Sequence, residues 1–452
     1  MNTKKQTATQ HLFTNKQLRT LLVPIMVEQL LSSLMGTADT MMVSNVGSAA
    51  ISAVSLVDAI NILVIQALSA LAAGGAILCS QYLGSQNLKK AKRSAEQVLF
   101  VMLVLSCSLS LLCLIFRFPL LRLIFGTVDT DVMANSQIYF FFTLLSFPFI
   151  GLYDAGASIL RAQNNTKGPM TISILSNFLN IGGNAILIFV FGMGVAGAAI
   201  STLVSRIFCA IVVIWQLRNP AEQIYVRNYF SIRPDWSLIK RVLFIGIPSG
   251  IENSMFQFGK LAIQSTVSTL GTVAIAAQAM TSILEALNGI AAMGVGIGLM
   301  TVVGQCIGAK RKDEAIYYIK RLSWLSEIVI LISCAVVYLL AKPVTILGGM
   351  EAESARLCLQ MVAFITITKP ISWVLSFIPA YGMRAAGDVK FSMITSCCTM
   401  WACRFCLCVF LIRVLGFGPM GVWIGMFADW TVRGIIFTWR FHSRKWLEHK
   451  VI

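Results

Sequence analysis

Apolar residues run along this chain in long blocks, broken by short stretches of charge, glycine and proline. The blocks predict twelve helices, over 20–45, 53–80, 95–116, 136–160, 168–190, 195–217, 243–268, 275–303, 322–341, 359–383, 391–412 and 418–439. A helix rises about 1.5 Å per residue, so roughly 20 apolar residues cross the hydrocarbon core of a bilayer. The segments between blocks are too short for a second large domain. The expected fold is an all-α polytopic membrane protein with twelve transmembrane helices.

The pattern repeats. Sliding the chain on itself by 224 positions sets Pro24 on Pro248, Glu28 on Glu252, Gly47 on Gly271, Gly74 on Gly298, Gln81 on Gln305, Gly84 on Gly308 and Ala91 on Ala315 without a gap. A shift of 223 sets Arg161-Ala162 on Arg384-Ala385 and Lys167 on Lys390; Gly192, Gly194 and Gly197 return to the first register against Gly416, Gly418 and Gly421. Each half holds six predicted spans, an even number, so both insert with the same orientation. Two six-helix bundles related by a pseudo-two-fold along the membrane normal follow, with a cavity between them. The expected organisation is an N-terminal lobe over 1–218, a linker over 219–242 and a C-terminal lobe over 243–452.

Composition supports the membrane reading, since 57% of the 452 residues are apolar and only 12% charged. Ordinary soluble domains carry about twice that charge, so a soluble enzyme is excluded. The formal charge of +17 would suggest nucleic acid in a soluble chain. Here it resolves into topology. Connecting segments on one side hold 26 basic residues, against Arg117, Arg122, Lys342, Arg356 and Arg413 on the other. The positive-inside bias then places both termini in the cytoplasm of a plasma-membrane protein, with the lipid bilayer rather than nucleic acid as its surroundings. Most of the 12 cysteines lie inside apolar runs and imply no disulfide framework. The first apolar block is too long for a signal-peptide core, so no cleaved leader is expected.

Equipment for bond chemistry is missing. There is no GxxxxGK loop, no HExxH and no GxSxG, and the histidines (His11, His442, His449) all lie near the ends. Tyr153-Asp154 with Gly387-Asp388 loosely resembles an intramembrane aspartyl protease, but the second motif reads AAGD and sits beside Arg384 and Lys390. A membrane-embedded enzyme is the weaker alternative, and no cofactor is expected.

Function is sought among charges at membrane depth, which are costly and mark pathways or pairs. Glu28 and Asp39 share the first span, eleven residues apart and therefore on one face, about 16 Å apart in height. Glu28 and its repeat-mate Glu252 can form an acid pair facing one cleft, suited to cations, or partner a nearby basic residue. Asn180 and Asn184 share a face of the fifth span, where their amides can meet Asp39. Asp58, Asp154, Glu285 and Asp429 are further acids; Asp429 has Arg433 one turn on, and Lys260 is within reach of Glu285. Arg206, Lys369 and Arg404 are expected to pair or snorkel. Substrate-cleft candidates are Glu28, Glu252, Glu285 and Asp154.

At this point the chain resembles the multidrug and toxic compound extrusion (MATE) family over its full length. The stretch from Pro24 through "MGTADTMMVSNVGSAAISAVSL" is similar to that family's opening helix. "SQYLGSQNLKKA" and "GQCIGAKRKDEA", "ILRAQNNTKGPM" and "GMRAAGDVKFSM", and "GMGVAGAAIST" and "GFGPMGVWIG" resemble its three paired loops. The resemblance implies a secondary antiporter that exports amphipathic, mostly cationic drugs or toxic metabolites by alternating access. It also implies that Asp39 is the coupling-cation carboxylate, with Asn180, Asn184, Thr202 and Tyr139 around it. The tenth span lacks the acid of NorM-like members, so a DinF-like arrangement driven by H⁺ through Asp39 is expected. Na⁺ coordinated by Asp39, Asn180 and Asn184 is the alternative; no other metal site is expected. A monomer is the expected unit. The rival within transport is a lipid-linked oligosaccharide flippase.

Overall fold

The computed structural model describes residues 11–126 and 129–452, excepting the side chains at positions 34–40, 44, 125 and 230. Among the described residues there are helices and connecting turns, and no strand. The first half comprises α1 (Asn15–Ser44), α2 (Ser48–Gly84), α3 (Leu88–Ile115), a short α4 (Arg117–Phe125), α5 (Thr130–Ala162), α6 (Lys167–Asn184) and α7 (Gly194–Leu217). The second comprises α8 (Trp236–Val267), α9 (Thr272–Gly308), α10 (Lys312–Leu347), α11 (Ala352–Ala385), α12 (Val389–Thr399), α13 (Leu407–Arg413) and α14 (Met420–His442). A π-helical turn, Ala185–Val190, extends α6, and another, Met400–Cys406, joins α12 and α13 into one rod. Each predicted span thus becomes one continuous rod, and only α4 was not foreseen. Nine rods are long and apolar enough by themselves to cross a membrane among the described residues; α1, α8 and α14 pack among them.

The two halves fold alike. In the first, α5 packs on α2, α3 and α7, and α1 on α6; in the second, α11 packs on α9, α10 and α14, and α8 on α12. Even local backbone conformations repeat at the 224-residue step. Gly47 and Gly271, the N-caps of α2 and α9, both have positive φ (140° and 93°), which glycine adopts without strain. Gln86 and Lys310, just past the ends of those helices, sit at φ 59° and 60°. The capping box of Thr14 with Gln17 starts α1.

The lobes meet where α1 and α2 cross α8 and α9. Small residues let the backbones touch. A methyl group on Gly84 would collide with the Gln305 carbonyl, and one on Gly308 with the Gln81 carbonyl, the same contact made twice. Higher on α2, a Cβ at Gly74 would stand 2.8 Å from the Gly246 nitrogen. Two side chains then bind across the seam. Gln81 Nε2 donates to the Ala385 carbonyl at 2.7 Å, and its repeat-mate Gln305 donates to the Ala162 carbonyl at 2.8 Å. Both acceptors are last-turn carbonyls, which lack a partner within their own helix.

The ends of the chain reinforce the same side. Phe13 N donates to Tyr318 Oη and its carbonyl accepts from it, each at 3.0 Å, and His11 stacks on Tyr317. Arg241 reaches Tyr82 Oη at 3.0 Å and the Val451 carbonyl at 3.1 Å. Between the lobes, Gln97 clamps the Arg233 carbonyl and the Asp235 N–H. Tyr229 donates to the Ile214 carbonyl at 2.8 Å, and burial pushes its phenol up to about 12, keeping it a neutral donor. All these cross-lobe contacts lie in the halves of the helices nearest the basic loops.

Valine at Gly84 or Gly308 is expected to force α2 from α9 at a cost of about 1–3 kcal/mol. Either variant should unfold at a lower temperature in detergent, followed by intrinsic fluorescence. Gly182→Ala, whose added methyl meets nothing within 4 Å, should unfold with the wild type.

Candidate functional site

Three polar centres lie within the bundles. The first repeats in each lobe near the seam. Arg161 Nη2 stands 2.6 Å from Glu28 Oε1, and Arg384 Nη2 stands 2.6 Å from Glu252 Oε1. Tyr153 Oη also donates to Glu28 Oε1, at 3.2 Å. The two carboxylates were candidates for a shared acidic cleft, but each is turned into its own lobe and only 4% exposed. The physical reason is that a carboxylate buried among helices needs a cation, and the last turns of α5 and α11 supply one. Sequence had assigned Arg161 and Arg384 to the basic loops.

Asp154 borders this centre. With Ser158 and Arg161 it lines a cavity of about 70 Å³, closed on the other side by Ile297, Met300 and Thr301 of α9. Asp154 Oδ2 and Arg161 Nε are buried there without hydrogen-bond partners, as is Glu28 Oε2 behind Arg161. The space suits about two water molecules, and these polar atoms suit their hydrogen bonds.

The second centre lies between α6, α7 and α1. Asn180 and Asn184 are fully buried. Asn180 Nδ2 donates to Thr202 Oγ1 at 3.3 Å, and Asn184 Nδ2 approaches Asn180 Oδ1 at 3.5 Å. Ser201 Oγ caps the Asn180 carbonyl at 2.8 Å, and Asn177 Nδ2 ties α6 to the Leu31 carbonyl of α1 at 3.2 Å. Asn180, Asn184 and Thr202 are therefore brought together as foreseen. Asp39 follows Leu31 by about two turns of α1, but its side chain lies outside the described residues. Tyr139 donates to Asp58 Oδ1 at 3.2 Å, which Asn61 Nδ2 also holds at 3.1 Å. Arg206 Nη1 donates to Ser146 Oγ at 2.6 Å.

The third centre lies in the C-terminal lobe. Lys260 had been the candidate partner of Glu285; instead Lys369 Nζ stands 2.6 Å from Glu285 Oε1 and donates to its carbonyl at 3.0 Å. Gly289 makes room, since a Cβ there would stand 3.1 Å from Lys369 Nζ. Asp429 and Arg433 form the foreseen i,i+4 pair, at 3.5 Å and almost wholly buried, and Arg433 Nε donates to Ser376 Oγ at 2.6 Å. Arg404 is buried in the π turn, with Nη2 3.2 Å from Met426 Sδ. Glu327, half-buried on α10, went unremarked in the sequence although it lies inside a predicted span. Among the described residues no group of three or more His, Cys, Asp and Glu could hold a metal ion.

A twelve-rod duplicated bundle with polar centres buried in both lobes defines a polytopic transporter rather than an enzyme. The MatE family model matches it twice, over residues 24–186 and 248–410, starting points one 224-residue step apart. The chain belongs to that family, the multidrug and toxic compound extrusion transporters. It is 28% identical over 432 residues to the uncharacterized transporter YisQ of Bacillus subtilis, spanning 94% of this chain and 93% of that one. It is 25% identical over 453 residues to the probable multidrug resistance protein NorM of Thermotoga maritima, spanning 97% and 94%. Its fold matches a solved outward-facing multidrug resistance MATE transporter of the MOP superfamily with TM-score 0.85, at 20% identity over 95% of this chain and 96% of that one.

Glu28→Gln or Arg161→Gln alone strands a buried charge and should cost about 3–5 kcal/mol of stability. The double variant should recover much of that loss in denaturant unfolding, the signature of a coupled pair. The same cycle is expected for Glu252 with Arg384.

Proposed function

We propose that this chain is a secondary antiporter that exports amphipathic, mostly cationic small molecules in exchange for H⁺, in a DinF-like arrangement with Asp39 as the coupling carboxylate. The observation that carries the reading is the distribution of cross-lobe contacts. They gather toward the basic ends, and the outermost of those described, Asn253 Nδ2 on the Gln66 carbonyl, lies at the middle of α8 and α2. With the basic ends in the cytoplasm, as their charge favours, this is a state closed to the cytoplasm and open outward. Lobes 1–218 and 243–452, joined by 219–242, then move as bodies, and transport requires the seam at Gly84 and Gly308 to open in turn.

Asn180, Asn184 and Thr202 supply the polar wall for Asp39. Three side chains already tied to one another present oxygens to a proton-bearing carboxyl without relying on mobile water. In this mechanism proton loading favours rearrangement of the N-terminal lobe and cargo release, and proton release resets it. Coupling needs only that proton and cargo prefer different lobe states. Asp154 is a second acid on the route, beside the cavity at the seam, and Glu285 stands in the C-terminal lobe. Na⁺ held by Asp39, Asn180 and Asn184 is the alternative ion. One chain carries both lobes, so a monomer suffices.

The test is ethidium efflux from proteoliposomes under an imposed pH or Na⁺ gradient. Transport by the wild type on the pH gradient alone, abolished in Asp39→Asn, is expected. Wild-type rates in Asp39→Asn would remove the assignment, and efflux driven only by Na⁺ would move Asn180 and Asn184 into metal coordination. Gln81→Ala combined with Gln305→Ala removes both cross-seam bonds, about 2 kcal/mol together, and should raise labelling of the seam by a water-soluble reagent applied from the basic side.

A further inference from the structure

The C-terminal lobe carries more positive charge than it can neutralise. Four cations lie on its membrane-spanning helices, Lys369 on α11, Arg404 in the π turn and Arg433 on α14 buried and Lys260 on α8 exposed, with two carboxylates among them, Glu285 and Asp429. Glu285 is committed, whereas Asp429 is shared: neither of its oxygens has a hydrogen-bond partner, and its charge acts on Arg404 as well as on Arg433. Glu285 gives Oε1 and its carbonyl to Lys369, and Asp429 faces Arg433 at 3.5 Å. Glu327 on α10 forms no ion pair with any of the four among the described residues. Neither Lys260 nor Arg404 forms an ion pair among the described residues, although the charges of Asp429 and Glu285 act on Arg404 and those of Arg404 and Glu285 on Lys260.

The surroundings of these two cations are built for a ligand. Arg404 is 6% exposed, and its Nε is buried with no acceptor. Its one side-chain hydrogen bond goes to a thioether, a weak acceptor. Leaving a guanidinium N–H buried and unpaired is costly, and an incoming anion removes that cost. Elsewhere in the lobe Trp430 on α14 carries another orphaned donor, its Nε1, with its ring 5.8 Å from Lys369 Nζ.

Lys260 is exposed, and helix geometry says to what. On α8 the exposed apolar residues Phe244, Ile251 and Phe258 recur every seven positions and form the lipid face. Lys260 follows Phe258 by two residues, turning it about 200° away. It falls instead in register with Gly246, which packs on Leu71, and Asn253, whose Nδ2 donates to the Gln66 carbonyl across the seam at 3.3 Å. The lysine therefore continues the face that meets the other lobe, one further step beyond the Asn253 bond. It lies close enough to Arg404 for the two charges to act on one another.

We propose that the C-terminal lobe contains a binding site for an anionic group, a carboxylate or phosphate ester on an amphipathic molecule, held between Lys260 and Arg404. Its role as a cargo site rests on the efflux reading above. The N-terminal lobe holds the acids Asp58 and Asp154 instead, so a molecule carrying both signs of charge suits the two lobes better than a simple cation does. Electrostatic complementarity of this kind sets selectivity more than raw affinity.

Two dyes isolate the charge: rhodamine 110 has a free carboxylate, and rhodamine 123 is its methyl ester. Their dissociation constants are measured by fluorescence anisotropy on the purified full-length chain and on Lys260→Gln, Arg404→Gln and Arg404→Lys. The acid should bind about tenfold more weakly to either glutamine variant, the loss of one charge-assisted hydrogen bond. The ester should bind more tightly, because repulsion is relieved, and Arg404→Lys should restore part of the preference for the acid. Lys260→Gln changes an exposed side chain and carries the test if Arg404→Gln fails to fold. A ratio of acid to ester affinity that is unmoved in Lys260→Gln overturns the site.

The anion can come from a free molecule or from a lipid headgroup. Repeating the binding in nanodiscs of zwitterionic lipid with and without phosphatidylglycerol separates the two: competition by the anionic lipid that disappears in Lys260→Gln assigns the site to a headgroup, and its absence assigns it to free cargo. Ethidium export by the same preparations distinguishes the two readings. Export together with an unmoved ratio removes only the anion site, and a charge-selective ratio without export removes only the transport role.

Discussion

Backbone contact between α2 and α9 is the constraint from which the rest of the molecule takes its shape. Gly84 and Gly308 leave no room for a side chain, so the two helices cross at one point and in one register. Once that point is set, Gln81 and Gln305 reach the opposite lobe's helix ends, and the N-terminal segment, linker and C-terminus close over the same side. Apolar surface contributes little to this choice inside a bilayer, since lipid tails are as apolar as leucine. Close approach and a few hydrogen bonds decide where the lobes join.

Charge is distributed with the same economy. Near the seam each lobe neutralises its glutamate with an arginine from the end of a neighbouring helix, so the hinge region carries no net field from these pairs. Away from the seam the lobes diverge. The N-terminal lobe gathers amides and hydroxyls around Asn180 and holds Asp58 by hydrogen bonds; the C-terminal lobe gathers cations and aromatic rings. Duplication therefore preserved the mechanical parts and let the chemical parts drift.

Much of this was legible in the sequence, and the reason is periodicity. Blocks of about 20 apolar residues name the rods, and the 224-residue step names Gly84 with Gly308 and Gln81 with Gln305 before any coordinates are needed. The cluster of Asn180, Asn184 and Thr202 was legible through resemblance and helix spacing. Pairings between distant helices were not. Lys369 lies 84 residues from Glu285, and no local pattern prefers it over Lys260. Arg161 and Arg384 carry the signature of loop residues because helix ends and loops share composition, and only packing shows that they reach back to Glu28 and Glu252. The π turns next to Asn184 and around Arg404 have no propensity signal; one extra residue in a turn changes which side chains face inward, and it does so beside buried polar side chains.

The paired glutamines carry a consequence of a different kind. Gln81 meets the partner of Ala162, and Gln305 meets Ala162 itself, so residue i touches j′ while its mate touches j. That reciprocity is the defining property of an isologous interface between identical subunits. A six-helix chain of half this length could form these paired contacts with a second copy of itself, and fusion of two such copies would leave them unchanged. The single polypeptide is in this sense a dimer whose subunits have since been free to become different.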